Sequence, residues 1–241
     1  MSRPKAIDYE QQRDRILELA VRAFAEIGYP SASMAELAQT CGTSKARLYH
    51  YYPSKEAILF DSLERYTARL NAIVDQVRAR RLPARQELSA LVRELMAEYR
   101  HSHDYHVALL HDVKFLAPQL RERIKDRERA VVSALADTLE RAFPQRMTPA
   151  LRTPLTMALL GTINFTFAWL RPDGPMSYEQ FAEMVIDIWQ RGLEGEPLPG
   201  AAMPAAMDAA AAASAASTSA AIAGAASARA DVLETTGRRA G

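Results

Sequence analysis

Ser44-Lys45-Ala46-Arg47 sets a hydroxyl, an ammonium and a guanidinium within four successive residues. Arginine and lysine are the donors that suit guanine edges in the major groove, and serine can pair with several bases. Tyr49, His50, Tyr51 and Tyr52 follow, and then Lys55. Tyrosine and lysine are common phosphate donors, so this second group could clamp a nucleic-acid backbone, with His50 as a ring at its edge. Lys55 carries an argument of its own. If Ser54 caps the next helix, Lys55 lies in its first turn, where the macrodipole disfavours a cation and a docked phosphate would suit both. The plainer reading is a solvated lysine balanced by Glu56.

A second group of chemically capable residues is His101, His103, His106 and His111, with Asp104 and Asp112 among them. Only His103 and His106 share a helical i, i+3 spacing, so the cluster is not assigned as a metal site, and Asp104 is expected to cap a helix. The chain contains no Gly-rich phosphate loop, no Gly-x-Ser-x-Gly elbow and no paired metal motif, so no catalytic residue, cofactor or metal is assigned.

The elements that must position these groups read at helical period. Ile16, Ala20, Phe24 and Ile27 form the stripe of a first helix, which Gly28 should end in a left-handed cap. Ser33-Met-Ala-Glu36 has capping-box spacing for a short second helix, which ends near Cys41-Gly42. Thr43 or Ser44 caps a third, running to about Tyr51, and Leu48 faces the core. Two short helices joined by Thr40-Cys41-Gly42-Thr43 suggest a helix-turn-helix, whose second helix enters the major groove with its first residues on the bases. Pro53-Ser54 opens a long fourth helix with Leu59, Leu63, Tyr66, Leu70, Ile73 and Val77 on one face. Further helices are expected around residues 88–99, 104–115, 118–143, 148–170 and 178–192, the last capped by Ser177. No period-two run appears. The class is all-α, with about nine helices.

Composition sets the outer bounds. Of 241 residues 49% are hydrophobic and 24% charged, as in a globular protein. The formal net charge of +1 excludes a polybasic nucleic-acid binder, so any DNA contact must rest on local pattern. Residues 3–56 hold eight basic and seven acidic groups, which would need sorting to separate faces. The single cysteine, Cys41, suits a reducing cytoplasm. No apolar signal-peptide core and no bilayer-length apolar run appear, so a cytoplasmic protein without membrane attachment is expected. Residues 196–241 are mostly small and lack large apolar side chains, and are expected to be disordered.

From Ile16 to Leu63 the sequence resembles the DNA-binding domain of the TetR family. The resemblance is carried by Ile16-Leu17, Phe24, Gly28-Tyr29, Met34, Leu37-Ala38, Cys41-Gly42-Thr43-Ser44-Lys45, Leu48-Tyr49 and Pro53-Ser54-Lys55-Glu56 with Leu59. It implies that Ser44, Lys45, Ala46 and Arg47 face the major groove, that Tyr49, Tyr51 and Lys55 bind phosphate, and that Ser33 lies near the backbone. Arg47 is bulkier than usual and would set its own base preference. Tyr51-Tyr52 replaces a common His-Phe pair, which leaves the Tyr52 hydroxyl in need of a partner.

The resemblance further implies a division into a DNA-binding domain over 1–56 (ordered from 8) and a ligand-binding, dimerising domain over 57–195. A homodimer would form through the last two helices, where Phe165, Phe167, Trp169, Phe181, Ile188 and Trp189 make residues 150–170 and 178–192 unusually apolar. Its partners would be a palindromic double-stranded DNA operator and a small-molecule effector. Candidate pocket residues are Tyr105, His106, Leu109, Leu110, Phe115, Asn164 and Thr166, because a buried Asn164 would need a partner that a ligand could supply. Residues 107–116 with the charged run 121–129 are similar to regulators of acyl-CoA and aromatic-acid catabolism, which bind CoA thioesters. The function expected is ligand-responsive repression; the alternative is a helical small-molecule binder or enzyme that keeps the fold without operator binding.

Overall fold

The computed structural model describes residues 3–171 and 173–194, with side chains from Tyr9 onward. The segment 196–241, expected to be disordered, lies outside the described residues. Among the described residues there are nine α-helices and no strand.

Local signals set the first four helices. Helix α1 (Arg3–Ile27) buries Ile16, Leu17, Ala20, Val21 and Phe24 and stops at Gly28, whose φ of 81° few side chains tolerate. Helix α2 (Met34–Thr40) begins at a complete capping box: Ser33 Oγ accepts from the Glu36 amide, and Glu36 accepts from the Ser33 amide at 2.8 Å. Gly42, at φ 61°, makes the tight turn into α3 (Lys45–Tyr51), which Ser44 caps. Ser54 caps α4 (Lys55–Ala79), a rod of about 37 Å.

Helix α4 joins the two halves. Its inward face (Ile58, Leu59, Leu63, Tyr66, Leu70, Val74, Val77) packs on α1 and on the helices that follow. The division expected at residue 56 falls in its first turn, and one apolar core runs through both halves. Helices α5 (Ala84–His101) and α6 (His103–Asp112) are separated by Ser102 alone, and a 3-10 turn, Val113–Phe115, follows. Asp104 lies in the first turn of α6 without capping it; Ser102 is the N-cap and makes no side-chain cap bond. Helix α7 (Pro118–Ala142) lies along α4 and α5, α8 (Pro149–Asn164) along α7, and α9 (Tyr178–Glu194) along α5. No helix among the described residues is long and apolar enough to cross a membrane.

The apolar helix expected over 148–170 ends early, at Asn164. Residues Phe165–Ala168 tighten into a 3-10 turn: the buried Thr166 hydroxyl donates to Ile163 O, and Leu170 N returns to Thr166 O. The tightening tucks Leu170 inside and leaves Phe165 and Trp169 outward.

Candidate nucleic-acid interface and interior polar sites

Helix α3 is anchored by one buried residue, Leu48, with Tyr52 just beyond it. Every other position from Ser44 to His50 is exposed, so Lys45 and Tyr49, one turn apart, share an outer face with Ala46 and His50. Arg47 stands beside them. Ser44 Oγ accepts from the Arg47 amide at 3.2 Å, which leaves its O–H hydrogen able to donate outward; Ser33, also exposed, is in the same state. Tyr51 is half-buried because Tyr9 of α1 stacks on it, ring centroids 4.8 Å apart, and His50 meets both rings edge-on.

Charge is sorted as a weakly basic domain requires. Arg13 pairs with Asp61, and Arg22 with Glu26. Asp14 pairs with Arg65, and Glu36 is engaged in its cap. Lys45 and Arg47 make no ion pair among the described residues, nor does exposed Arg15 on α1, which the sequence reading passed over. The Tyr52 hydroxyl has its partners: it donates to Asp61 at 2.6 Å and accepts from Arg13 at 3.0 Å.

Lys55 is bonded within the protein. Its ammonium donates to the carbonyls of Tyr29, Pro30 and Ala32 at 2.8–3.1 Å and lies 4.6 Å from the Tyr29 ring centroid. An ammonium has three hydrogens, and here all three close the α1–α2 turn. The first-turn position near the helix dipole is compensated from within the protein, so no phosphate is required to explain it.

Of the residues expected to line an effector pocket, His106 and Asn164 meet one another, and their polar atoms are bonded within the protein. His106 is 2% exposed and fully partnered. Its Nε2 meets Asn164 O at 3.3 Å, an atom that can only accept, so Nε2 carries the proton and Nδ1 accepts from the Tyr66 hydroxyl at 3.0 Å. Burial, opposed by the Asn164 bond, pushes this imidazole down to about 4, and it is held neutral. Asn164 Oδ1 accepts from Tyr99 at 2.9 Å, so the partner it needed is a tyrosine. The Tyr99 ring stacks on His106, centroids 4.1 Å apart. Leu109 is core, Leu110 half-buried, and Thr166 bonds its own turn. Phe115 is exposed and stacks on Tyr29.

Of that group only Tyr105 borders a described cavity. It has a volume of about 420 Å³ and lies between α1, α4 and the α5–α6 junction. Asp14, Glu18, Arg65, Arg69, His101, His103 and Asp104 line it, so its walls are charged and unsuited to an apolar chain. His101 and His103 are thereby placed at the cavity and His106 in the core. Among the described residues no group of histidines, cysteines and carboxylates is arranged to hold a metal.

Three exposed cation and hydroxyl groups on a short second helix, held by a tight turn against α1, define a helix-turn-helix protein with a helical C-terminal half. Residues 16–61 match the family model described as bacterial regulatory proteins, tetR family, and residues 81–193 match the tetracyclin repressor-like C-terminal domain. A TetR-family transcriptional regulator from Bordetella parapertussis is 31% identical, with a TM-score of 0.71 and coverage of 73% of this chain and 93% of that one. The crystal structure of AibR in complex with isovaleryl coenzyme A and operator DNA matches at 26% identity and TM-score 0.67, covering 73% and 97%. The transcriptional repressor KstR2 of Mycobacterium tuberculosis is 27% identical over 192 residues, 77% of this chain and 94% of the relative. The chain belongs to the TetR family and is a transcriptional regulator.

Proposed function

We propose that the protein is a ligand-responsive repressor that binds a palindromic operator as a homodimer and releases it on binding an acyl-CoA thioester. The observation that carries the DNA half is the outer face of α3, where Ser44, Lys45, Ala46, Arg47, Tyr49 and His50 are exposed together and both cations lack ion-pair partners among the described residues. Ser44 to Arg47 read bases; Tyr49, His50, Tyr51 and Ser33 touch phosphate. Lys55 holds the turn beneath them.

Dimerisation through α8, the 3-10 turn after it and α9 is supported by the large apolar side chains this region leaves outward. Phe165, Trp169, Met184 and Ile188 are all exposed, Ile188 at 59%. Phe181 is buried in the protomer and Phe167 and Trp189 are half-buried, so the patch is narrower than the sequence suggested. Two recognition helices about one DNA turn apart would read two half-sites. The effector class rests on likeness to AibR, bound to isovaleryl coenzyme A in its crystal structure. An acyl chain would have to enter the apolar interior between α4, α5, α7 and α8, because the α1–α4–α6 cavity is too polar. Repression then follows from population shift: a ligand that favours an arrangement with altered helix spacing lowers DNA affinity by its differential binding.

Genomic-fragment capture with the full chain, sequencing and a salt titration test this reading. A palindromic site is expected, with Arg47→Ala relaxing base choice at one position per half-site at a cost of about 1–3 kcal/mol. Weak, sequence-independent binding alone would overturn it.

A further inference from the structure

We propose that His106 and Tyr99 are positioning residues for the dimer face: through Asn164 they hold the turn that presents Phe165 and Trp169 to a second protomer. This rests on dimerisation through α8, α9 and the turn between them. Helix α8 stops at Asn164, and the 3-10 turn Phe165–Ala168 leaves Phe165 and Trp169 outward, at 43% and 46% exposure. A 3-10 turn advances about 120° per residue against about 100° in an α-helix. Over the four residues of the turn that difference re-aims Trp169 by roughly 80°. Where α8 stops therefore decides where the outward rings point.

The backbone of α8 does not fix its own end. Many helices close on a left-handed residue, but Asn164 has φ −69° and Phe165 has φ −72°. Apart from the Thr166 hydroxyl bond within the turn, the fixing groups come from α5 and α6. His106 Nε2 donates to Asn164 O at 3.3 Å, and His103 Nε2 meets Phe167 O at 3.4 Å. The rings of His106 and His111 stand edge-on to Phe167, centroids 6.3 and 5.5 Å away, and Phe167 stands edge-on to Phe165 at 5.9 Å. All three histidines of α6 thus meet one turn.

From α5, Tyr99 donates to Asn164 Oδ1 at 2.9 Å and stacks on His106. Tyr66 of α4 gives its hydrogen to His106 Nδ1, which leaves Nε2 as the donor toward Asn164. Asn164 is held by both its main-chain and its side-chain oxygen. Beyond the turn, Trp169 lies edge-on to Phe181 of α9, centroids 5.0 Å apart, so a shift of the turn changes how the outward edges of α8 and α9 line up. Helix α6 also packs on α1, so one helix supports both the DNA-binding head and this face.

The test compares the full chain with His106→Gln, His106→Leu and Tyr99→Phe, and uses Ile188→Glu as the interface control. Glutamine can keep both bonds, its oxygen accepting from Tyr66 and its amide donating to Asn164 O; leucine can keep neither. Sedimentation velocity across a dilution series gives the dimer dissociation constant, and circular dichroism shows whether each variant is folded. His106→Leu and Tyr99→Phe should each raise the dissociation constant about tenfold while staying helical, and His106→Gln should remain within about threefold of wild type. If His106→Leu does not fold, Tyr99→Phe, which removes one oxygen, still decides. The proposal fails if Tyr99→Phe or a folded His106→Leu dimerises as tightly as wild type, or if His106→Gln is weakened as much as Tyr99→Phe. A monomeric wild type, or an Ile188→Glu that stays dimeric, instead sinks the dimer-face reading and the proposal with it.

Discussion

Tyr29 and Phe115 stack face to face, ring centroids 5.2 Å apart and planes 21° from parallel, across 86 residues of chain. Tyr29 lies in the turn after α1; Phe115 ends the 3-10 turn after α6. Beside the stack, Glu56 at the start of α4 accepts from the Ala117 amide at 2.6 Å. These contacts tie the three-helix head to the α6–α7 corner, so a movement of α6 reaches α1 and α4 without crossing solvent.

We predict that Phe115→Ala leaves operator affinity within a few-fold of wild type but lowers the ligand's effect on it. If the coupling is of the usual size, about 1–3 kcal/mol, at least half should be lost. Fluorescence anisotropy on the captured operator, with and without ligand, reads both quantities. An undiminished ligand effect would show that the coupling runs elsewhere.

Lys55→Ala should destabilise the head. Three hydrogen bonds from an ammonium to carbonyls and a cation–π contact are lost, at about 2 kcal/mol after allowance for partial exposure. Chemical denaturation checks this. A phosphate contact instead predicts unchanged stability and a smaller salt slope.

The pH dependence of Glu128 has a defined sign. Its folded-state pKa of about 7 lies above the ordinary 4.5, so between those values the folded chain holds a proton the unfolded chain has released. Its favourable contribution is complete below 4.5 and lost as pH rises through 7. Relative to Glu128→Gln, wild type should therefore be equal in acid and weaker by about 1–2 kcal/mol in alkali, the full shift being discounted because the side chain is half-buried. His106 works in the opposite direction: with its pKa depressed from 6.5 to about 4, it costs stability as pH falls through that window. Urea midpoints across pH, read as differences between variants, isolate each group.

If the protein is the proposed dimer, Ile188→Glu should dissociate it and leave the protomer folded, because the side chain is already outward. Sedimentation velocity would show half the mass, and affinity for a two-half-site operator should fall by at least about a hundredfold. A variant that stays dimeric would place the interface away from α9.

What the sequence by itself determined is what closes within a turn of helix. The Ser33–Glu36 box, the Ser44 and Ser54 caps and the positive-φ glycines Gly28 and Gly42 each involve neighbours three or four residues apart, so spacing alone reveals them. The outer face of α3 follows, since one buried leucine fixes which residues turn outward. The tertiary structure decided the polar interior. His106 finds Tyr66 at a separation of 40 residues, Tyr99 finds Asn164 at 65, and Lys55 finds three carbonyls at 23 to 26. A polar side chain is satisfied by whichever group the packing of distant helices brings within 3 Å, and no local periodicity encodes that neighbour.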